Sequence, residues 1–185
     1  MAEAHFQEFQ TRYKPIHSRF VKYCDSMAYG VMESKDLVQE TVLVVLRRWD
    51  EIRKKDSLLA FMIGVAGNQI KVQLRHLQRE TRLELEKEAL RKMEAQTQNA
   101  ELAYDIHLMY KAMDQLGEKE RDCLVMFEIS GFSIQEIAGI QRDSDGAVKT
   151  RLSRARQRLK ALLEDEASEK RIKMPVSTLF SFLLL

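Results

Sequence analysis

A basic segment near the C-terminal end carries the clearest binding chemistry in the sequence. Six of the twelve residues from 149 to 160 (KTRLSRARQRLK) are lysine or arginine, and none is acidic. Lysine and arginine neutralise nucleic-acid phosphates, while arginine, glutamine, serine and threonine also hydrogen-bond base edges. We therefore expect this segment to bind DNA, although a basic helix that only faces solvent has the same composition.

The apolar residues of the segment predict which side chains face the DNA. Val148, Leu152, Ala155 and Leu159 recur at steps of four, three and four, which places them on the buried side of one helix. The opposite side and its flanks then carry the candidate base-binding and phosphate-binding residues. These residues are Lys149, Thr150, Arg151, Ser153, Arg154, Gln157 and Arg158.

A shorter helix is predicted just before this one. Ser133 and Glu136 have the spacing of a capping box, in which each side chain accepts a hydrogen bond from the other residue's backbone amide. A polar turn at residues 142–146 follows, where Asp143 or Ser144 can cap the next helix. Two helices joined by a tight polar turn form a helix-turn-helix, the fold that best positions a basic helix in a DNA groove.

The N-terminal half also has helical periodicity. Apolar residues recur at steps of three and four from Phe6 to Phe20, and Pro15 is expected to kink or divide that helix. A second helix is predicted from Ser34, whose hydroxyl can cap it, to about Trp49.

A third helix is predicted to begin near Ser57. It is apolar almost all round from residue 58 to 66, so we expect it to be buried in the middle of a bundle. Asn68, Lys71 and Arg75 follow at positions i, i+3 and i+7, which predicts a polar stripe along the end of this helix.

The predicted fold is all-α, with two small helical domains joined by a charged linker. The domains are expected at residues 1–77 and 103–164, and the linker at residues 78–102, where glutamate alternates with lysine and arginine. Its composition predicts a solvated helix that frays after about Glu94. Residues 165–185 are predicted to be a C-terminal tail, which is apolar at its end.

The cysteines and the chain ends predict a cytoplasmic protein. Cys24 and Cys123 are far apart and lack metal-ligand spacing, as expected for buried free thiols in a reducing compartment. The N-terminus lacks the basic and apolar pattern of a signal peptide. The apolar run at residues 176–185 is about half the length that a spanning helix needs, so no membrane insertion is expected.

Catalytic patterns are missing from the sequence. The four histidines are scattered, and there is no Ser/His/Asp set, glycine-rich phosphate loop or metal-ligand spacing. We therefore predict a protein that is not an enzyme and that needs no metal and no cofactor. The formal net charge of +2 is small, so any nucleic-acid-binding surface must come from the local arrangement of charge.

The helix-turn-helix segment also resembles a known family. Residues 131–159 (GFSIQEIAGIQRDSDGAVKTRLSRARQRL) are similar to region 4 of the extracytoplasmic-function sigma factors, which are sigma-70-type subunits of bacterial RNA polymerase. Residues 35–41 (KDLVQET) and 61–75 (FMIGVAGNQIKVQLR) resemble region 2 of the same family. Ala147 replaces the family's usual threonine, and Gly67 replaces an arginine that is a DNA contact in the family.

The resemblance implies a division of labour between the two regions. Region 4 would place the basic helix in the major groove of the −35 promoter element. Region 2 would bind the clamp helices of the largest subunit of core RNA polymerase and capture unpaired bases of the −10 element. The residues implied for polymerase binding are Asp36, Gln39 and Glu40, and those for the −10 element are Asn68, Lys71, Arg75, Arg53, Lys54 and Lys55. Promoter DNA, core RNA polymerase and an anti-sigma factor are the expected partners.

Two other functions fit part of the sequence. A free-standing transcriptional regulator would bind an operator through the same helix-turn-helix and use residues 1–77 as a dimerisation or sensing bundle. It would bind DNA tightly without polymerase. An anti-sigma factor or other helical adaptor that binds only proteins is the second alternative, and the basic helix argues against it.

Overall fold

The computed structural model describes residues 2–52, 57–77 and 79–170. In these ranges the chain is helical with connecting turns and contains no β-strand, which confirms the all-α prediction. The proposed tail falls largely outside the described residues, since only its first part, to Lys170, belongs to the last helix.

The first predicted helix is divided at Pro15. Helix α1 spans Ala2–Tyr13, a 3₁₀ turn spans Lys14–Ile16, and helix α2 spans His17–Ala28. Proline lacks the amide that would continue the α-helical ladder, so the break falls where the sequence predicts it. Phe9 and Phe20 are buried as expected, whereas Phe6 remains 47% exposed.

Helix α3 spans Ser34–Arg47, and the prediction that Ser34 caps it is wrong. The N-cap position is Glu33, whose backbone is extended, and no side chain there accepts a capping hydrogen bond. A 3₁₀ turn, Trp49–Glu51, follows the helix. Trp49 is buried because its indole ring packs edge-on against Phe9, at 5.7 Å between ring centroids.

Helix α4 spans Leu58–His76 and is less buried than predicted. Its core-facing side is a stripe that includes Met62, Ala66 and Ile70, whereas Phe61 and Val65 are only half-buried. The helix packs mainly against α2 and α3, and residues on its remaining side, among them Asn68 and Arg75, are exposed.

Helix α5 spans Arg79–Thr97 and includes most of the predicted linker. It is helical as expected, but it packs against the next helix instead of standing free in solvent. It also extends beyond Glu94, where the Thr97 hydroxyl donates a hydrogen bond to the Met93 carbonyl, at 2.9 Å. The predicted boundaries of the linker and of the two domains remain predictions.

The C-terminal half contains four helices and one π-helical turn among the described residues. They are α6 (Ala100–Met113), α7 (Glu118–Leu124), the π-helical turn Val125–Ile129, α8 (Ile134–Gln141) and α9 (Asp145–Lys170). As the periodicity predicts, Val148, Leu152, Ala155 and Leu159 form the buried side of α9, which lies on α6, α7 and α8.

The hydrophobic core is continuous between the two halves of the chain. Helix α2 packs against the π-helical turn, and α4 packs against α8, so the buried side chains form one cluster. Cys24 and Cys123 are buried in it as free thiols, as predicted, and burial raises the pKa of Cys123 to about 11. Of the helices in the described ranges, none combines the length and apolar character needed to cross a membrane.

Candidate nucleic-acid interface

The helix-turn-helix begins with the predicted capping box. The Ser133 hydroxyl accepts a hydrogen bond from the Glu136 amide at 3.3 Å, and the Glu136 carboxylate accepts one from the Ser133 amide at 2.8 Å. These bonds satisfy two amides that have no partner inside the helix. The start of α8 is therefore fixed by local sequence.

Asp143 and Ser144, the two predicted candidates for the cap of α9, have different roles in the turn between α8 and α9. Ser144 caps α9, because its hydroxyl accepts a hydrogen bond from the Ala147 amide at 3.2 Å. Asp143 instead binds the guanidinium of Arg151 at 2.7 Å, and its pKa is lowered by hydrogen bonds from Arg151 and Lys119. Arg142 adopts the left-handed conformation, with φ of 55°, which ends α8.

The exposed side of α9 carries most of the predicted DNA-binding residues. Lys149, Thr150, Ser153, Arg154 and Gln157 are all exposed on it. Arg154 and Thr150 line a surface depression of about 390 Å³ together with Gly146 and Glu120. The same side chains are therefore accessible to a DNA groove.

The arginines of α9 differ in how far they are already engaged. Arg151 is 17% exposed and contacts both Asp143 and Gln141. Arg156 binds Glu128 at 2.7 Å, and Arg158 binds Glu120 at 2.9 Å. Within the described part of the chain, Arg154 makes no ion pair of this kind, so its guanidinium remains exposed without a carboxylate partner. Sequence periodicity could not reveal this difference.

The predicted stripe on α4 faces the C-terminal half. Asn68, Lys71 and Arg75 are exposed, and the first two line a cleft of about 510 Å³ between α4 and helices α7 and α8. The Lys71 ammonium lies 2.5 Å from the Glu118 carboxylate across this cleft. Arg53, Lys54 and Lys55, which were also predicted to bind DNA, lie outside the described residues.

The predicted polymerase-binding residues lie together on α3. Asp36, Gln39 and Glu40 are all exposed, opposite the buried side of the helix. Leu43 is 50% exposed one turn further along the same side. Leu43 is not among the predicted site residues, although its spacing of three or four residues from Gln39 and Glu40 places it on the same side of the helix.

Models of known protein families match both halves of the chain. The model described as "Sigma-70 region 2" matches residues 11–80, and the model described as "Sigma-70, region 4" matches residues 106–159. The two models belong to one family and occur here in that order. The chain is a sigma factor of the sigma-70 family.

Relatives place it with the extracytoplasmic-function type. The sigma factor is 29% identical to the ECF RNA polymerase sigma factor EcfG of Rhodopseudomonas palustris (strain TIE-1). The identity is measured over 148 aligned residues, which cover 78% of each chain. It is 24% identical over 162 residues to the RNA polymerase sigma factor CarQ of Myxococcus xanthus, with 88% of this chain and 91% of the relative covered.

Two solved structures share the fold. One is the sigma factor RpoE in complex with the anti-sigma factor NepR from Bartonella quintana, with a TM-score of 0.59, 23% identity and coverage of 85% of this chain and 98% of the other. The second is CnrH in complex with the cytosolic domain of CnrY, with a TM-score of 0.60, 23% identity and coverage of 89% and 92%.

The cleft of the sigma factor contains an acid whose charge is unfavourable. Burial raises the pKa of Asp122 to about 6, and the negative charge of nearby Glu118 adds to the increase, while Arg121 and Lys71 partly oppose it. A raised folded-state pKa means that the protonated form is the more stable one. This contribution to stability is present below the unfolded pKa near 3.8 and is lost as the pH rises through about 6.

We predict that Asp122→Asn stabilises the sigma factor at pH 7.5. The amide has nearly the same shape and no charge, so the free energy of unfolding should increase by roughly 1–3 kcal/mol. The gain should shrink toward zero at pH 4, where Asp122 is protonated in the folded protein. Thermal melts at the two pH values measure this, with Glu84→Gln on the exposed side of α5 as control. A gain that is equal at both pH values would contradict the assignment.

Proposed function

We propose that this sigma factor divides promoter recognition and polymerase binding among three surfaces. The first is the exposed side of α9, which would enter the major groove of the −35 element. Its support is the capped helix-turn-helix and the exposed row that contains Lys149, Arg154 and Gln157. Arginine bound to guanine, and glutamine bound to adenine, are pairings that read sequence in that groove.

The second surface is the polar stripe on α4, which would bind the −10 element once its strands have separated. Unstacking a base costs a few kcal/mol, which contacts with the released strand must offset. Asn68 can hydrogen-bond a base edge, and Lys71 and Arg75 can neutralise phosphates. Arg53, Lys54 and Lys55, which precede α4 in the sequence, would add phosphate contacts.

The third surface is the exposed side of α3, which would bind the clamp helices of the largest subunit of core RNA polymerase. Asp36, Gln39 and Glu40 provide acceptors and charge, and Leu43 provides apolar area beside them. A cluster of exposed polar groups around an apolar side chain is typical of a helix that binds another protein. No bond-making chemistry is assigned to this chain.

We also propose an anti-sigma factor as a regulatory partner and the cytoplasm as the place of action. The support is a pair of solved relatives: one was determined in complex with a named anti-sigma factor, and the other in complex with the cytosolic domain of its partner. These relatives share less than a quarter of their residues with this chain, so the identity of the partner must come from experiment.

The match of residues 11–80 to region 2 is the observation that carries the proposal, because a free-standing regulator needs no such region. The test is in vitro transcription with purified core polymerase, with and without the protein, on a library of promoter fragments. We expect protein-dependent initiation at fragments that share two sequence blocks. Operator binding with neither initiation nor core binding would instead support the regulator.

A further inference from the structure

The turn of the helix-turn-helix is joined to both of its helices through Asp143. The Asp143 amide donates a hydrogen bond to the Ala138 carbonyl of α8, at 2.9 Å. Its carboxylate accepts one from the Arg151 guanidinium of α9, at 2.7 Å, and the pKa of Asp143 is lowered chiefly by this bond. Asp143 is therefore ionised at neutral pH, and a charge-assisted hydrogen bond of this kind is stronger than one between neutral groups.

A glutamine extends the same network to a third helix. Arg151 also donates to the side-chain oxygen of Gln141 at the end of α8, and the Gln141 side-chain amide donates to the Lys119 carbonyl of α7, at 3.1 Å. The Lys119 ammonium lies 3.3 Å from the Asp143 carboxylate. Four residues from α7, α8, the turn and α9 thus form a closed ring of contacts. Helix α9 cannot turn about its axis or slide along α8 without breaking at least one of them.

The backbone of the turn indicates that these contacts hold it in place. Arg142, between Gln141 and Asp143, has a left-handed conformation with φ of 55°. Residues other than glycine rarely adopt this conformation, and it persists where the surrounding structure holds the backbone. Both sequence neighbours of Arg142 bind the Arg151 side chain, so the network supplies such contacts on either side of the strained residue.

The guanidinium of Arg151 is largely withdrawn from the surface that we assign to DNA. Its side chain is 17% exposed, and to reach a DNA phosphate it would have to leave the Asp143 carboxylate, which has the same sign of charge as the phosphate. Thr150 and Arg154 are exposed, and together with Arg151 they line the depression of about 390 Å³ on α9. The contacts of Arg151 therefore fix the wall of the depression that also carries Arg154.

We propose that Arg151 and Asp143 are positioning residues for promoter recognition: they set the angle at which α9 presents Arg154 to the −35 element, and they make no contact with DNA themselves. This inference rests on the proposed role of α9 in the major groove. Groups that recognise a ligand must be held within about 0.5 Å of their productive geometry. Loss of the pair therefore lowers the preference for the correct −35 sequence more than it lowers the affinity for DNA in general.

The test is Asp143→Asn, because it separates positioning from direct contact with DNA. Asparagine has nearly the shape of aspartate but no charge, so its bond to Arg151 is weaker. For a positioning residue, the ratio of affinities for matched and scrambled −35 sequences should fall roughly fivefold or more, since a misaligned Arg154 loses discrimination of this size. If Arg151 binds DNA instead, the substitution releases it and removes a negative charge, so affinity for the matched sequence rises and the ratio is kept.

The affinities are measured by fluorescence anisotropy with the complete polymerase, well below the melting temperature of each variant. The matched control is Asp145→Asn, which makes the same change at an exposed position in the first turn of α9. Both substitutions remove one negative charge from the same part of the molecule, so a loss of selectivity seen only with Asp143→Asn cannot come from charge. Partial unfolding cannot produce it either, because unfolding lowers binding to both sequences by the same factor.

Arg151→Ala and Arg151→Lys provide the second measurement. Lysine keeps the charge but lacks the planar fork that binds Gln141 and Asp143 together, so both variants should lose selectivity. A phosphate contact contributes about one to the slope of log affinity against log salt concentration. We expect this slope to stay at the wild-type value with Arg151→Ala. Adding Asp143→Asn to Arg151→Ala should cause no further loss, since the two residues act as a pair.

The inference is overturned if Asp143→Asn leaves selectivity unchanged or raises it, if Asp145→Asn lowers selectivity equally, or if Arg151→Ala reduces the salt slope by about one. Failure of the proposed function gives a different result. In that case Arg154→Ala leaves the selectivity of the polymerase for the −35 sequence unchanged, whatever Asp143→Asn does.

Discussion

Arg154→Ala should reduce promoter-specific binding and initiation by roughly 5- to 150-fold. A bidentate contact between arginine and guanine contributes about 1–3 kcal/mol of discrimination, and each 1.4 kcal/mol is a tenfold change. Arg154 is the residue we expect to make such a contact because it is exposed on α9, whereas Arg151, Arg156 and Arg158 are bound to acids. Core polymerase binding should not change, because the residues that we propose for it lie on α3 and not on α9.

The matched control for this prediction is Arg156→Ala on the same helix. It removes the same charge, but Arg156 is bound to Glu128 and lies over the Phe127 ring, at 5.4 Å. We therefore expect a loss of thermal stability with little change in promoter selectivity. Fluorescence anisotropy of the holoenzyme on matched and scrambled −35 sequences separates the two effects. Equal loss of affinity for both sequences with Arg154→Ala would reduce Arg154 to a phosphate contact.

The helix-turn-helix could be predicted from sequence because local interactions determine it. The capping box needs only Ser133 and Glu136, three residues apart, and the buried side of α9 follows from a 4-3-4 spacing. The break at Pro15 has the same origin, since the proline ring acts on its own turn. Each of these features depends on residues within a few positions of one another in the chain.

Features that depend on distant residues could not be predicted in the same way. The linker helix α5 has few apolar residues, so its packing was not expected. Its Glu86 side chain lies against Gly30, which has φ of +66°. A Cβ at Gly30 would lie 2.8 Å from the Cγ of Glu86, so the contact needs glycine there. The residues around Gly30 do not indicate that Glu86 lies beside it, and the residues around Glu86 do not indicate Gly30. The ion pair between Arg151 and Asp143 joins residues eight positions apart across a turn, so the periodicity of α9 did not indicate it. Ser34 looked like a cap, although the chain enters α3 through Glu33.

Replacing Asp36 and Gln39 by alanine together should reduce binding to core polymerase by at least about 30-fold. Groups at the centre of an interface typically cost about 2 kcal/mol or more when truncated, which corresponds to this factor. Both side chains are exposed on α3 beside the 50%-exposed Leu43, while the opposite side of the helix holds it in the core through Leu37 and Val45. The substitutions should therefore leave the fold unchanged, as circular dichroism and thermal melts can verify.

The matched control is the double substitution Asp25→Ala with Gln10→Ala, which removes the same two residue types from exposed positions on α2 and α1. Binding to labelled core polymerase should fall with the α3 variant and remain at the wild-type level with the control. If the α3 variant lost DNA binding and polymerase binding equally, these surfaces would not be separate, and the assignment of α3 to the polymerase would have to be abandoned.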